Sequence, residues 1–262
     1  MKRPALVGIL NLTPDSFSGD GVGANDALTL ARQMMMDGAD MIDIGAESTR
    51  PGATPLSDAQ EWARLSPFLH ALLEADWRPR TRLSIDTRHA LTASRALDLG
   101  IDIINDVGGL RDNAMAELLS GYDGDIIVMH ALSIPADKTQ TLPEDCDVVA
   151  ELLAWKDTVT TRAISHGIAP ERLIYDVGIG FGKTAKQSLA LLHAALQFHQ
   201  SGGRWLYGHS RKSFMTLFSD ADTSARDDLT LAFSAQLAAA NVDYLRVHNV
   251  VRHAALFKKI CT

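Results

Sequence analysis

Acidic and amide side chains end several short apolar runs of this sequence, where they are placed to bind a flat, nitrogen-rich ring. Asp86, Asn105 and Asp176 each follow such a run with no turn residue between. A carboxylate accepts hydrogen bonds from ring N–H groups, and an amide both donates and accepts. The three together suit a fused ring with an amidine-like edge. Asp86 taken alone is explained equally well as the cap of a following helix.

Basic side chains follow two later runs and indicate a site for an anion. The segment 208–213 joins a glycine turn to what reads as the start of a helix, where backbone N–H groups attract negative charge. Lys212 adds a mobile positive charge there. Arg246 and His248, two places apart and so on one side of a strand, can hold a phosphate together. The first cluster alone is also typical of a solvated basic helix start, and a lone histidine is more often structural.

Two loops rich in Gly, Pro and polar residues follow the first two runs. They cover 13–21 and 47–53, and loops of this composition can order over a substrate. Asn11 and Asp15 offer oxygen ligands for a divalent cation that bridges phosphates. The segment 178–184 resembles an ATP-binding phosphate loop, but Val177 stands where that pattern requires glycine, which excludes an ATPase.

The elements that must position these residues are short apolar runs alternating with amphipathic helical stretches. Nearly continuous apolar runs are typical of parallel strands buried on both faces. The predicted strands are 5–10, 41–44, 83–86, 101–105, 125–129, 173–176, 205–207 and 244–247. The predicted helices are 24–37, 57–73, 87–99, 143–166, 183–199, 224–241 and 249–260.

This alternation predicts an α/β fold, a (β/α)8 TIM barrel forming a single domain over 1–262, with an open doubly wound sheet as the alternative. A barrel of this kind builds its active site from the carboxyl ends of its strands. The polar residues expected at that face are Asn11, Glu47, Asp86, Asn105, His130, Asp176, His209 and His248.

Composition narrows the class of protein further. The chain has 262 residues, 46% of them hydrophobic, and a net charge of −7, so neither a disordered chain nor a nucleic-acid binder is expected. The first apolar run is too short for a signal peptide or a membrane span, and we expect a cytoplasmic protein without a membrane partner. Cys146 and Cys261 show no metal-binding spacing.

Motifs along the whole chain, in order, resemble those of dihydropteroate synthases. The matching segments are Gly8-Ile9-Leu10-Asn11-Leu12-Thr13-Pro14-Asp15-Ser16-Phe17-Ser18, Glu47-Ser48-Thr49-Arg50-Pro51-Gly52, Ser84-Ile85-Asp86-Thr87, Ile104-Asn105-Asp106, Val128-Met129-His130, Gly180-Phe181-Gly182-Lys183, Ser210-Arg211-Lys212-Ser213 and Arg246-Val247-His248.

The resemblance implies a reaction, a metal and a set of roles. Family members join 6-hydroxymethyl-7,8-dihydropterin diphosphate to 4-aminobenzoate, with Mg2+ on the pyrophosphate, as homodimers and sulfonamide targets. The implied pterin residues are Asp86, Asn105, Met129, Asp176, Phe181 and Lys212. The implied pyrophosphate residues are Asn11, Thr49, Arg50, Arg246 and His248. The implied 4-aminobenzoate residues are Phe17, Pro51, Ser210 and Lys212; the implied metal ligands are Asn11 and Asp15; and the implied catalytic residues are Asp86, Lys212, Arg246 and His248.

Three departures from the family pattern keep two alternatives open. Val177 stands where Pro is usual, Asn249 where Asp is usual, and 19–21 read Gly-Asp-Gly rather than Asp-Gly-Gly. One alternative is a methyltransferase acting on methyltetrahydrofolate, which would share the Asp-Asn-Asp pocket. The other is a paralogue that binds pterins without turnover.

Overall fold

A computed structural model describes residues 2–13, 24–48, 52–75, 81–137, 139–218 and 223–261 of the chain. Its strands are β1 (Ala5–Asn11), β2 (Met41–Gly45), β3 (Arg82–Thr87), β4 (Ile103–Asp106), β5 (Asp125–Met129), β6 (Leu173–Asp176), β7 (Arg204–Tyr207) and β8 (Tyr244–Val247). Its α-helices are α1 (Ala24–Met36), α2 (Asp58–Glu74), α3 (Ala90–Asp98), α4 (Asn113–Ser120), α5 (Val148–Ser165), α6 (Ala185–His193), α7 (Ala195–Gln200), α8 (Thr223–Ala239) and α9 (Val250–Ile260). Short 3-10 helices cover Pro170–Arg172 and Ser213–Leu217.

The strands form a closed parallel barrel in sequence order, because β8 pairs with β1. This confirms the (β/α)8 prediction and excludes the open sheet. Apolar side chains from six different strands form one buried cluster, and side chains so far apart in sequence can meet only inside the barrel: Val7, Met41, Ile103, Ile127, Ile174 and Leu206. A larger cluster fills the space between the strands and the surrounding helices.

Local sequence signals explain most helix ends. Ser57 and Gln60 form the predicted capping box at the start of α2, and Gly38 takes a φ of 95° just beyond α1. The predicted long helix 143–166 begins later, at Val148, because the Asp147 carboxylate caps it there. Helix α4 was not predicted, and the stretch 183–199 is two helices rather than one.

None of the helices in the described parts of the chain is long and apolar enough to cross a membrane.

Candidate active site

Four polar side chains from alternate strands form one layer across the barrel interior. They are Asp43 of β2, Asn105 of β4, Asp176 of β6 and Arg246 of β8. In its strand, each comes two residues after a side chain that points into the barrel interior. It therefore points inwards as well, one layer nearer the carboxyl ends of the strands. Barrel layers of this kind are usually filled by branched apolar residues. A polar layer in their place indicates a site for a ligand.

Hydrogen bonds and ion pairs connect the members of this layer. The Asn105 Nδ2 group donates to Asp43 Oδ2 at 2.9 Å, and Arg246 Nη1 donates to the same oxygen at 2.8 Å. Arg246 Nη2 lies 3.8 Å from Asp176 Oδ2, and Gly178 N donates to Asp176 Oδ1 at 2.8 Å. The guanidinium is therefore the centre of a buried group of acids.

Three buried atoms of the layer have no hydrogen-bond partner among the described residues. They are Asn105 Oδ1, Asp176 Oδ2 and Arg246 Nε. A buried polar atom without a hydrogen-bond partner costs about 1–3 kcal/mol of stability. Such atoms are retained where a bound ligand supplies the missing partner. Two acceptors and one donor suit a ring edge that presents N–H groups beside a ring acceptor.

Asp86 lies at the rim of the layer, on β3. Its Oδ2 is 3.4 Å from Arg246 Nη1. Burial raises the pKa of Asp86 to about 8, and the neighbouring Asp43 carboxylate adds to the rise. The interpretation of Asp86 as a helix cap is wrong: α3 starts after His89, which makes no side-chain cap. The strand register also brings Asn11 and Asp86 to either side of Gly45 at the carboxyl ends.

An apolar wall is formed by Met129 and Phe181, and the positive charge of Lys212 lies against it. Met129 and Phe181 belong to one buried cluster beyond the end of β5. The Lys212 ammonium lies 4.7 Å from the centre of the Phe181 ring, within the range of a cation–π interaction. Gly208, in the segment leading to Lys212, lies so close to Arg246 that an added Cβ would be 3.2 Å from Arg246 Nε.

Ser210 and His248 lie together after β7 and β8. His248 Nδ1 is 3.0 Å from Ser210 Oγ. Burial, assisted by the cations Arg211 and Lys212, lowers the pKa of His248 to about 4, so the free imidazole is neutral. When the Ser210 hydroxyl donates to Nδ1, Nε2 carries the ring proton and can donate it to an anionic oxygen. The predicted helix start at 208–213 is wrong, since only a 3-10 turn follows.

Three of the polar residues expected at the strand ends serve the scaffold instead. Glu47 accepts from Arg88 at 2.8 Å, and His209 is buried with its Nε2 2.9 Å from Ser234 Oγ on α8. His130 is bound through Nδ1 to Lys183 at 2.8 Å. All three follow strand ends as predicted, and each side chain binds a loop or a helix of the scaffold.

Lys183 and Asp43 are important residues that the sequence analysis did not select. The buried Lys183 ammonium donates to the carbonyl oxygens of Gly178 and Phe181, both at 3.0 Å. It therefore holds together the loop that carries Phe181, and the rejected phosphate-loop motif is a structural clamp. Burial lowers the pKa of Lys183 to about 7. The signal for Asp43 was an acid inside an otherwise apolar strand.

Five predicted site residues lie outside the described residues: Asp15, Phe17, Thr49, Arg50 and Pro51.

Two departures from the family pattern, Val177 and Asn249, lie within the described residues and have local explanations. Val177 N donates to Leu206 O at 3.3 Å, a bond that proline could not make. Asn249 hydrogen-bonds to Asp227, which lies near His248 and acts to raise its pKa. An acid at 249 would face the Asp227 carboxylate, so here Asp227 supplies the negative charge beside His248.

Comparison with known proteins assigns the family. The model of the pterin-binding enzyme family matches residues 7–248. The dihydropteroate synthase of Neisseria meningitidis serogroup C is 39% identical over 98% of this chain and 92% of its own length. The chain belongs to the dihydropteroate synthase family.

Solved dihydropteroate synthases share the whole fold. The enzyme from Anaplasma phagocytophilum with bound 6-hydroxymethylpterin-monophosphate is 35% identical, with a TM-score of 0.90 over 98% of each chain. The Xanthomonas albilineans dihydropteroate synthase with 4-aminobenzoic acid is 29% identical, with a TM-score of 0.88 over 99% of this chain and 93% of that one.

One relative is much longer than this chain. A probable bifunctional folylpolyglutamate synthase/dihydropteroate synthase from Halobacterium salinarum is 41% identical over 97% of this chain, which spans only 31% of that protein.

Proposed function

We propose that this chain condenses 6-hydroxymethyl-7,8-dihydropterin diphosphate with 4-aminobenzoate, giving 7,8-dihydropteroate and pyrophosphate in folate biosynthesis. The observation that supports it most directly is the set of unpaired buried atoms in the polar layer. In this reaction the bond between the pterin methylene carbon and the diphosphate oxygen breaks. A carbon–nitrogen bond to the aryl amine forms, and the amine proton passes to solvent or to the departing pyrophosphate.

The pterin ring would lie against the polar layer. Asn105 Oδ1 and Asp176 Oδ2 would accept from ring N–H groups, and Arg246 Nε would donate to a ring acceptor. Met129 and Phe181 would pack on the ring. An electron-rich pterin that loses pyrophosphate becomes cationic, and the Asp86 carboxylate would stabilise that charge.

The pyrophosphate would lie nearer the rim. His248 Nε2 and the Asn11 amide would contact it there, together with Thr49 and Arg50. Arg246 would lie between the two parts of the substrate; its guanidinium contacts Asp86 and packs beside Gly208. Positive charge at this point would stabilise the departing pyrophosphate.

Mg2+ is proposed as the metal, held by the pyrophosphate with Asn11 and Asp15. Within the described residues, no group of three or more His, Cys, Asp or Glu side chains is arranged to hold a metal. Mg2+ commonly takes only one or two protein ligands and completes its octahedron with water and substrate phosphates, so the Asn11 oxygen fits this mode. When bound, the ion would neutralise charge on the leaving group.

The 4-aminobenzoate would bind beside Lys212 and Ser210, with Phe17 and Pro51 as proposed walls. The Lys212 ammonium lies at the mouth, over the Phe181 ring. The aryl amine is already nucleophilic, so the site needs no strong general base to activate it.

A product assay tests this function. The chain should release pyrophosphate and form 7,8-dihydropteroate, identified by mass spectrometry, only when both substrates and Mg2+ are present; chelation of the metal should stop the reaction. Methyl transfer from methyltetrahydrofolate would favour the first alternative. Pterin binding without product from a folded protein would favour the non-catalytic paralogue.

A homodimer and a cytoplasmic location are also proposed from the family. Light scattering in solution should give twice the chain mass of 28.4 kDa, and a monomeric mass would contradict the first proposal.

A further inference from the structure

Asp43 is buried inside the barrel and bonded to three side chains from three other strands. It is 3% exposed. Its Oδ1 accepts from Ser84 Oγ at 2.8 Å, and its Oδ2 accepts from Asn105 Nδ2 at 2.9 Å and Arg246 Nη1 at 2.8 Å. Two of these partners are residues that the proposed function places on the pterin ring, whereas Asp43 itself lies one step behind them.

The chemistry of a carboxylate decides how Asn105 is oriented. An ionised carboxylate can only accept hydrogen bonds, so the Asn105 amide must turn its NH2 group towards Asp43. Its oxygen is then left facing away from Asp43, and Oδ1 is indeed one of the buried atoms without a partner. The amide therefore offers the ligand an acceptor and not a donor.

The same carboxylate fixes Arg246. Its contact with Nη1 is the shortest of the three ion pairs that the guanidinium makes, the others being 3.4 Å to Asp86 and 3.8 Å to Asp176. With Nη1 bound in this way, Nε remains as the unpaired donor of the layer. Asp43 thus determines the orientation of two of the three groups that meet the ring.

We propose that Asp43 is a positioning residue that orients the Asn105 amide and the Arg246 guanidinium, and thereby selects a ring edge with N–H donors facing Asn105. The proposal rests on the proposed function. An amide at position 43 would let both amides rotate, so that Asn105 could present its NH2 group to the ring and repel the same N–H donors.

The experiment measures binding of 6-hydroxymethylpterin by isothermal titration calorimetry, together with the melting temperature of each variant. Asp43→Asn should weaken binding by about 10- to 100-fold, as expected for one or two misplaced buried hydrogen bonds. Asp98→Asn, on the exposed end of α3, is the matched control and should bind like the wild type.

A swapped pair separates positioning from simple structural support. Asn105→Asp alone should bind pterin poorly, since two carboxylates would face each other. In Asp43→Asn/Asn105→Asp the new amide donates to the new acid, whose second oxygen again offers an acceptor to the ring. Binding should be tighter than in either single variant but weaker than in the wild type, because the swap restores the acceptor at position 105 and not the acceptor that Asp43 Oδ2 gives to Arg246.

The outcomes are distinct. Wild-type protein that binds no pterin would overturn the proposed function. Wild-type binding with an equally tight, folded Asp43→Asn variant would overturn the positioning role alone. A double variant that melts like the wild type but binds pterin no more tightly than either single variant would also overturn it.

Discussion

Arg246 lies between three carboxylates, and its replacement by Met should destabilise the protein in a pH-dependent way. The guanidinium lies 2.8 Å from Asp43, 3.4 Å from Asp86 and 3.8 Å from Asp176. Methionine fills a similar volume but leaves these acids without their shared cation. Burial already raises the pKa values of Asp86 and Asp176, and Arg246 opposes the rise in both. Without Arg246, both values should rise further.

The size and sign of the effect follow from these pKa shifts. Breaking a buried ion pair by removing one partner costs about 3–5 kcal/mol of unfolding free energy. A native carboxyl with a raised pKa holds a proton that the unfolded chain has released, so stability falls as pH rises from about 3.9 to the native pKa. The extra loss in the variant should therefore begin near the wild-type pKa of about 8 for Asp86 and be complete only above the higher pKa that Asp86 takes without Arg246. At lower pH Asp86 is protonated both with and without Arg246, so its contribution to the loss should disappear.

Urea unfolding at about pH 6.5 and about pH 9 measures this difference directly. Arg252→Met is the control, because Arg252 forms an exposed pair with Asp228 and should change stability by less than about 1 kcal/mol at either pH. A loss in Arg246→Met that is the same at both pH values, or smaller than that of the control, would show that Arg246 is not the counter-ion of these acids.

Four further predictions concern ligand binding and turnover. Lys212→Ala should lower turnover by at least about 100-fold with an unchanged melting temperature. Replacement of the exposed Lys186 by Ala is the control and should leave turnover unchanged. Near-normal turnover of Lys212→Ala would remove Lys212 from the site. Lys183→Met should lower the melting temperature and weaken pterin binding, because the loop bearing Phe181 loses its clamp; calorimetry showing normal binding would contradict this. Pterin binding should tighten as pH rises towards about 8, where Asp86 ionises, and below that pH binding should release the Asp86 proton. Calorimetric titrations in two buffers of different ionisation enthalpy measure this proton and should show none for Asp86→Asn. Sulfonamide inhibition should be competitive with 4-aminobenzoate in steady-state kinetics; insensitivity to 4-aminobenzoate would place the drug elsewhere.

The barrel could be predicted because its strands are buried on both faces. Such strands appear as uninterrupted apolar runs, and β5, β6 and β8 match the predicted bounds. The start of β4 was predicted two residues early, at Ile101, because Ile101 N bonds back to Ala96 O and completes the end of α3. Apolar character alone does not distinguish a strand from the turn that precedes it.

Asp43 could not be found from the sequence, because its role depends on contacts over long distances along the chain. Its hydrogen-bond partners Asn105 and Arg246 lie 62 and 203 residues away. His130 and His209 also follow strands, as predicted, but their side chains turn towards Lys183 and α8. The position of a polar residue at a strand end predicts the face of the barrel, whereas the direction of its side chain depends on its packing.

The charges of the polar layer also connect binding with the chemical step. Asp86 belongs to a group of three acids, with Asp43 and Asp176, that share the single guanidinium of Arg246. A ring that becomes cationic as pyrophosphate departs would favour ionised Asp86, because each new negative charge then faces a positive one. Asp86 has a pKa of about 8 in the free protein, so little free energy separates its two forms near neutral pH. A carboxyl balanced in this way can respond to the charge on the ring, which a permanently ionised surface acid could not do.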